Sequence, residues 1–239
     1  MAQTAAPARG PALIGAASDL KFVLTEIVAQ LERDTPHRYA LNLGSSGNLA
    51  RQIQQGLPVE LFLSADEEYV FQLADADLTR DRGALYAVGR VALFVPRGSP
   101  IALDPELRGL KAQWSSVGKF SIANPDHAPY GRAAREALQA LGLWEMVQPR
   151  LVIGENISQA TQYVSTGAAQ AGIVALSLAL APDVASLGRH VVLPATLHKP
   201  LRQRMALLRR AGLAAVALVA YLQSPEAKRL LQKYGFAVS

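Results

Sequence analysis

The sequence predicts an α/β protein in which mainly parallel sheets are flanked by helices, in two halves of like design. Three observations predict it. Short apolar runs of strand character alternate with stretches whose apolar residues recur at helical spacing, and three strand–helix units follow one another at the start of the chain. The second half repeats that alternation. The length, 239 residues, suits one large domain or two lobes of about a hundred residues each.

In chain order, residues 12–17 read as a short buried strand, with Ser18 as the N-cap of a helix whose apolar residues are Phe22, Val23, Ile27, Val28 and Leu31. Residues 39–43 form a second strand. The turn Gly44-Ser45-Ser46-Gly47 leads into a helix with Leu49, Ile53 and Leu57 on one face, ended by Gly56-Leu57-Pro58. Residues 59–63 predict a third strand, Ser64 and Asp66 a cap, and residues 67–73 a helix. Residues 85–95 are a long strand pattern broken at Gly89-Arg90. Residues 118–123 form the next strand, running into Asn124-Pro125-Asp126-His127-Ala128-Pro129-Tyr130-Gly131 and a helix over 132–141. Pro129 suits a first helical turn, where a missing N–H leaves nothing unsatisfied. Residues 151–154 and 171–176 read as strands around a helix over 158–164, and 203–208 as a further strand. Helices over 212–222 and 227–234 close the chain, the second capped by Ser224-Pro225-Glu226.

Composition narrows the function classes. Half the residues are apolar and 18% are charged, which excludes a disordered chain. The longest apolar run, 211–222, contains Gly212 and is too short to span a membrane. The net charge of +5 is scattered, with one dense cluster at Arg202, Arg204, Arg209 and Arg210 and no nucleic-acid motif, so no nucleic-acid partner is expected. Without cysteine there are no disulfides, zinc-thiolate sites or cysteine nucleophiles. The first ten residues lack the basic start and apolar segment of a secretion signal, and fit either a mature exported protein or a cytosolic one.

Four strand-to-helix turns carry the chemistry: Ala17-Ser18-Asp19, Gly44-Ser45-Ser46-Gly47, Ala128-Pro129-Tyr130-Gly131 and Glu155-Asn156-Ile157. The first N–H groups of a helix have no partner inside it and sit at the positive end of its dipole, so such turns favour anions. Ligands of doubly wound sheets bind beyond the carboxyl ends of the strands, and two turns fall in each half. If the halves face each other, all four can meet at one cleft. Taken alone, Ser46 needs only to cap its helix. Ser45 and Ser46 as nucleophiles would need a positioned base, and no Gly-x-Ser-x-Gly elbow is present. His127 reads as a brace for the turn below Tyr130 rather than a metal or acid–base group, Ser64 and Asp66 as a helix cap, and Trp114 and Trp144 as packing residues.

At these turns the chain resembles the periplasmic molybdate-binding proteins of ABC transporters. The matching segments are Ala16-Ala17-Ser18, Ser45-Ser46-Gly47-Asn48-Leu49-Ala50-Arg51-Gln52-Ile53, Leu61-Phe62-Leu63-Ser64-Ala65-Asp66, Asn124 through Gly131, Gly154-Glu155-Asn156-Ile157 and Gly172-Ile173-Val174-Ala175, with Ser224-Pro225-Glu226-Ala227 and Tyr234-Gly235-Phe236 at the end. The resemblance implies a two-lobed, type II periplasmic-binding-protein fold with two hinge crossovers: lobe I from residues 1–87 and 199–239, lobe II from 88–198, and the ligand cleft between them. It implies a periplasmic, monomeric binding protein that delivers molybdate or tungstate to a membrane permease, with no enzymatic activity, no cofactor and no metal held directly. The alternatives are another oxyanion such as sulfate or phosphate as the cargo, or an enzyme on the same fold. By position, Ser18 and Ser46 match hydroxyl ligands, while Tyr130 and Ile157 match positions offering backbone N–H groups. Asp19 stands where one branch has an Asn that touches the anion; its carboxylate would repel a dianion, so only its N–H is expected to face inward. Another branch has a Tyr hydroxyl at the position of Ala175, a contact that is lost here or replaced by Tyr130.

Overall fold

The computed structural model describes residues 10–238; residues 1–9, on which the reading of the N-terminus as leaderless mainly rests, lie outside them, as does Ser239. The chain runs β1 (Ala12–Ala17), α1 (Lys21–Asp34), β2 (Tyr39–Gly44), α2 (Ser46–Gln54), β3 (Leu61–Ser64), α3 (Glu67–Asp75), β4 (Ala84–Gly89) and β5 (Val91–Pro96). It continues through α4 (Arg108–Ala112), β6 (Phe120–Ala123), α5 (Pro129–Ala140), α6 (Trp144–Val147), β7 (Leu151–Gly154), α7 (Ile157–Ser165), β8 (Ala171–Ala175), α8 (Leu176–Ala179) and α9 (Pro182–Ala185). The last elements are β9 (Gly188–Val192), β10 (Leu201–Leu207), α10 (Leu213–Leu222) and α11 (Pro225–Lys233).

The strands form two five-stranded sheets, in the orders β2-β1-β3-β10-β4 and β7-β6-β8-β5-β9. In each, three strands are parallel, as strand–helix–strand units require. Two further strands make each sheet mixed: β10 runs antiparallel to β3 and β4, and β5 antiparallel to β8 and β9. The reason is the chain's path. The run read as one long strand is two, broken at Arg90, with β4 in the first sheet and β5 in the second. The chain returns between β9 and β10.

Helical spacing in α1 puts Val23, Leu24, Ile27, Val28 and Leu31 on the buried face, against the apolar strands β1 and β3. Phe120, Ile122, Leu93 and Ile173 build the second sheet's core under α5, and Trp114 and Trp144 pack partly buried against it. Asp66, Asn156 and Ser224 cap α3, α7 and α11, their side chains accepting the N–H groups of Glu68, Gln159 and Ala227 at 3.1, 3.1 and 3.2 Å. Ser64 supports the first of these caps, its hydroxyl donating to Asp66 O at 2.6 Å.

Three local expectations are corrected. Ser18 is not an N-cap: it opens a single 3-10 turn, Ser18–Leu20, and makes no capping bond, because its hydroxyl is engaged across the cleft. The strand expected from residue 59 starts at Leu61, since Val59 N–H is turned back onto Leu57 O. β9 was not foreseen; it is an edge strand whose Arg189 and His190 break the apolar pattern.

α5 can approach β6 closely only because residue 131 is glycine. A Cβ there would run into the carbonyl of Ala123 and lie 2.7 Å from Asn124 C. Gly131→Ala is therefore expected to lower unfolding free energy by about 1–3 kcal/mol in urea titration, as overpacking against fixed backbone does.

Candidate functional site

The carboxyl ends of β1, β2 and β3 face those of β6 and β7 across a small pocket with about 180 Å³ of empty space. Residues 17–19, 44–46 and 128–130, with Ala65 and Ile157, line it. All four predicted ligand positions, Ser18, Ser46, Tyr130 and Ile157, are brought together, and Asp19 with them. All five are buried. No Lys, Arg or His is among the lining residues.

Ser46 is the first residue of α2 and Ser45 its N-cap, yet neither side chain makes a capping bond. Ser46 Oγ instead accepts the N–H of Ala65 at 2.9 Å. That contact uses an oxygen lone pair and leaves the hydroxyl hydrogen without an acceptor among the described residues. Tyr130 and Ile157 occupy the second and first positions of α5 and α7, so their N–H groups have no acceptor inside their helices. Among the described residues no other backbone acceptor is found for them, nor for the N–H of Ser46. Ser18 lines the pocket with its hydroxyl engaged: Oγ donates to Asn156 Oδ1 at 3.1 Å and accepts Ser158 N–H at 3.2 Å.

Asp19 lines the pocket with its carboxylate engaged. Its carboxylate is buried in a polar cluster, Oδ2 accepting the Tyr130 hydroxyl at 2.9 Å and Gln203 Nε2 at 2.6 Å. Oδ1 is buried with no hydrogen-bond partner among the described residues. Burial pushes the Asp19 pKa up from 3.8 to about 6, against the pull of Gln203, Tyr130 and the nearby N–H groups of Asp19 and Leu20. Burial, then the Asp19 charge, push the Tyr130 hydroxyl well above its ordinary range. That hydroxyl is therefore a donor held by Asp19, and it does not replace the missing hydroxyl at Ala175, which ends β8 and does not line the pocket. Gln203 and Tyr86 complete the cluster, the Tyr86 hydroxyl donating to Gln203 Oε1 at 2.7 Å.

A second set of contacts crosses the cleft rim. Gly47 N–H donates to His127 O at 2.9 Å, and Ser45 Oγ lies 2.8 Å from His127 Nδ1. Arg132 meets Asp66 at 3.0 Å, and Asn48 donates to Glu155. His127 thus bridges the two halves rather than bracing its own turn. Ser45 and His127 are spaced as a nucleophile and base would be, but His127 Nε2 is 3.7 Å from Glu155 Oε2, too far for a hydrogen bond to orient the ring. Among the described residues no cluster of three or more His, Cys, Asp or Glu is arranged to hold a metal ion.

Sequence reasoning missed Gln203, Tyr86, the Ala65 N–H and the crossing role of Asn156. One signal was present: in β10 the buried positions alternate as Leu201, Gln203 and Met205, so a polar residue sits in the apolar phase of a strand.

The profile of the family described as bacterial extracellular solute-binding protein matches residues 12–237. The molybdate-binding protein ModA of Azotobacter vinelandii is 35% identical over 228 residues, covering 94% of this chain and 89% of the relative. ModA of Rhodobacter capsulatus is 34% identical, with 96% and 89% covered. Among solved structures, the periplasmic molybdate-binding protein of A. vinelandii superposes with a TM-score of 0.87 at 26% identity, over 95% of this chain and 99% of that one. The sulfate-binding protein SubI of Mycobacterium tuberculosis shares the fold, at a TM-score of 0.78 and 15% identity over 95% of this chain and 86% of its own. The chain belongs to the bacterial extracellular solute-binding protein family, in its group of molybdate-binding proteins.

Proposed function

We propose that the protein captures molybdate, and tungstate as well, as the extracytoplasmic substrate-binding component of an ABC importer, and hands it to a membrane permease. One observation carries this reading: a pocket without cations, into which helix N-termini of both sheets bring unpaired hydrogen donors. Neutral, fixed donors suit a fully ionised tetrahedral oxyanion, because they stabilise its charge through hydrogen bonds and helix dipoles without a bulky hydrated countercharge. The ligand contacts are Ser46 through its hydroxyl and N–H, Tyr130 and Ile157 through N–H groups, and Ser18 through a hydroxyl that leaves Asn156 when the anion enters. The oxyanion is held as such, with no bond from protein to metal and no cofactor.

Capture proceeds by closure. Lobe I, residues 1–87 and 199–239, takes the anion first. Lobe II, residues 88–198, then swings about the crossings near Arg90 and 193–200, and its N–H groups cover the remaining oxygens. Closure expels water, and an oxyanion too small to reach both sides leaves buried donors unpaired at about 1–3 kcal/mol each. That difference favours molybdate over sulfate at equal charge. The protein acts as a monomer and catalyses no reaction on its cargo.

Calorimetry and thermal melting with molybdate, tungstate, sulfate and phosphate test this. Micromolar molybdate is expected to raise the melting temperature while equal sulfate does not. Ser46→Ala, which removes one hydroxyl donor, is expected to weaken molybdate affinity about tenfold. A melting curve unmoved by either metal oxyanion would rule the assignment out.

A further inference from the structure

The pocket's unused groups are not all donors. Asp19, which lines the same pocket as the free N–H groups and the Ser46 hydroxyl, carries one buried acceptor with no hydrogen-bond partner among the described residues, Oδ1, with the N–H groups of Asp19 and Leu20 near its carboxylate. Its sister oxygen is fixed. Tyr86 donates to Gln203 Oε1 and so turns the Gln203 amide N–H toward Asp19 Oδ2, where Tyr130 donates as well. The Asp19 carbonyl is held from α8 by the Ser177 hydroxyl at 2.8 Å. The titratable groups facing the carboxylate are thus two tyrosines, Tyr130 from α5 and Tyr86 from β4. No Lys, Arg or His forms a hydrogen bond or ion pair with it among the described residues. An ionised carboxylate and a dianion in one dry pocket, with no cation between them, repel each other. A single hydrogen placed between them turns that repulsion into a hydrogen bond and satisfies the orphan oxygen.

Resting on the oxyanion reading above, we propose that the pocket binds its anion together with one proton, held between Asp19 Oδ1 and an anion oxygen. Asp19 is then the residue that decides which protonation state of a tetrahedral oxyanion the protein accepts. A fully ionised anion such as molybdate draws the proton from solvent onto Asp19, which donates it to the bound oxygen. An anion that carries its own hydroxyl, such as hydrogen phosphate, donates that hydrogen to ionised Asp19, and nothing is taken from solvent. The remaining donors serve both anions alike, so discrimination between the two classes shifts with pH.

The test is titration calorimetry of the intact protein with molybdate, sulfate and phosphate between about pH 6 and 8, in pairs of buffers with different ionisation enthalpies. Near pH 8 the wild type is expected to take up close to one proton per molybdate. Its Kd should rise about tenfold per pH unit above the Asp19 pKa of about 6. Asp19→Asn places an amide N–H where the proton would sit, so it should bind molybdate with no uptake and a flat pH profile. Molybdate bound by the wild type with no uptake and a pH-independent Kd overturns the proposal and leaves the molybdate assignment standing. Uptake that persists in Asp19→Asn overturns the assignment to Asp19. Phosphate bound without uptake, and lost in Asp19→Asn, supports the proposal even where molybdate fails to bind and the cargo assignment falls. No heat with any of the anions overturns both. The proton count is read on the wild type, so a poorly folded variant does not blunt the test.

Discussion

Gly47→Val is expected to weaken molybdate binding at least about a hundredfold, about 2.7 kcal/mol, while leaving the melting temperature of the ligand-free protein almost unchanged. Gly47 is the second residue of α2, and its N–H donates to His127 O on the far side of the cleft at 2.9 Å. A Cβ added there would lie 2.8 Å from that carbonyl oxygen and 3.1 Å from His127 Cα, both backbone atoms of the other half. It would also lie 2.8 Å from the Tyr69 hydroxyl, which is the free end of a side chain and can turn aside. The obstruction is thus to the meeting of the lobes, and folding within either lobe is spared. Valine's two methyl groups make it worse. In the capture we propose, closure supplies the contacts of Tyr130 and Ile157, so a protein that cannot close would keep only the half-site around Ser46. Calorimetry of Gly47→Val with molybdate, beside its ligand-free melting curve, checks both parts. Full affinity in a stable variant would mean that capture does not need the lobes this close.

Much of this site was legible because its parts are local. A helix N-terminus after a strand is written in a few consecutive residues, and Gly44-Ser45-Ser46-Gly47 and Ala128-Pro129-Tyr130-Gly131 announce their turns through chain chemistry alone. The break at Gly89-Arg90 was legible for the same reason: it interrupts one apolar run that now supplies a strand to each sheet. What the Asp19 carboxylate does was not legible. Its partners Tyr130 and Gln203 lie 111 and 184 residues away in the chain, and only the insertion of β10 between β3 and β4 brings Gln203 beneath it. No local pattern encodes that insertion. Ser18 misled for a related reason. A serine at the end of a strand before a helical pattern reads as a cap, yet its hydroxyl finds Asn156, 138 residues on, because the opposite lobe offers a better-placed acceptor than its own turn does. β9 shows the limit of periodicity, since an edge strand carrying Arg189 and His190 has no apolar face to betray it.

Asp19→Asn is expected to stabilise the ligand-free protein near neutral pH by about 3 kcal/mol, and much less near pH 4. The sign follows from the direction in which burial moves the carboxyl. Burial holds the folded-state pKa at about 6, above the ordinary 3.8 that the unfolded chain shows. Below the lower value both states are protonated and the residue contributes nothing to the pH dependence. Between the two values the folded protein keeps a proton that the unfolded chain has released, so stability falls as pH rises through this window. Above it the loss is complete and constant, at about 1.4 kcal/mol for every pH unit separating the two values. The amide of asparagine does not titrate. Its oxygen can accept from Tyr130 and Gln203 as Oδ2 does, while its N–H₂ takes the place of the unpartnered Oδ1. Glu67 and Glu136 move the other way: burial, which alone would raise them, is outweighed by Arg202 and Arg204 at Glu67 and by Lys199 N–H and Arg132 at Glu136. Their contribution is lost only as pH falls, and it is common to both proteins, so it cancels in the comparison. Urea unfolding of wild type and Asp19→Asn across this range reads the difference directly. Equal stabilities at neutral pH would show that the folded protein relieves Asp19 in another way. A widening gap from about pH 4 to 7 would show that the ligand-free cleft carries a destabilising charge, one that a proton arriving with the anion removes. In that case the same carboxylate that weakens the ligand-free protein also weakens capture as pH rises, because it must regain its proton before the anion-loaded state forms.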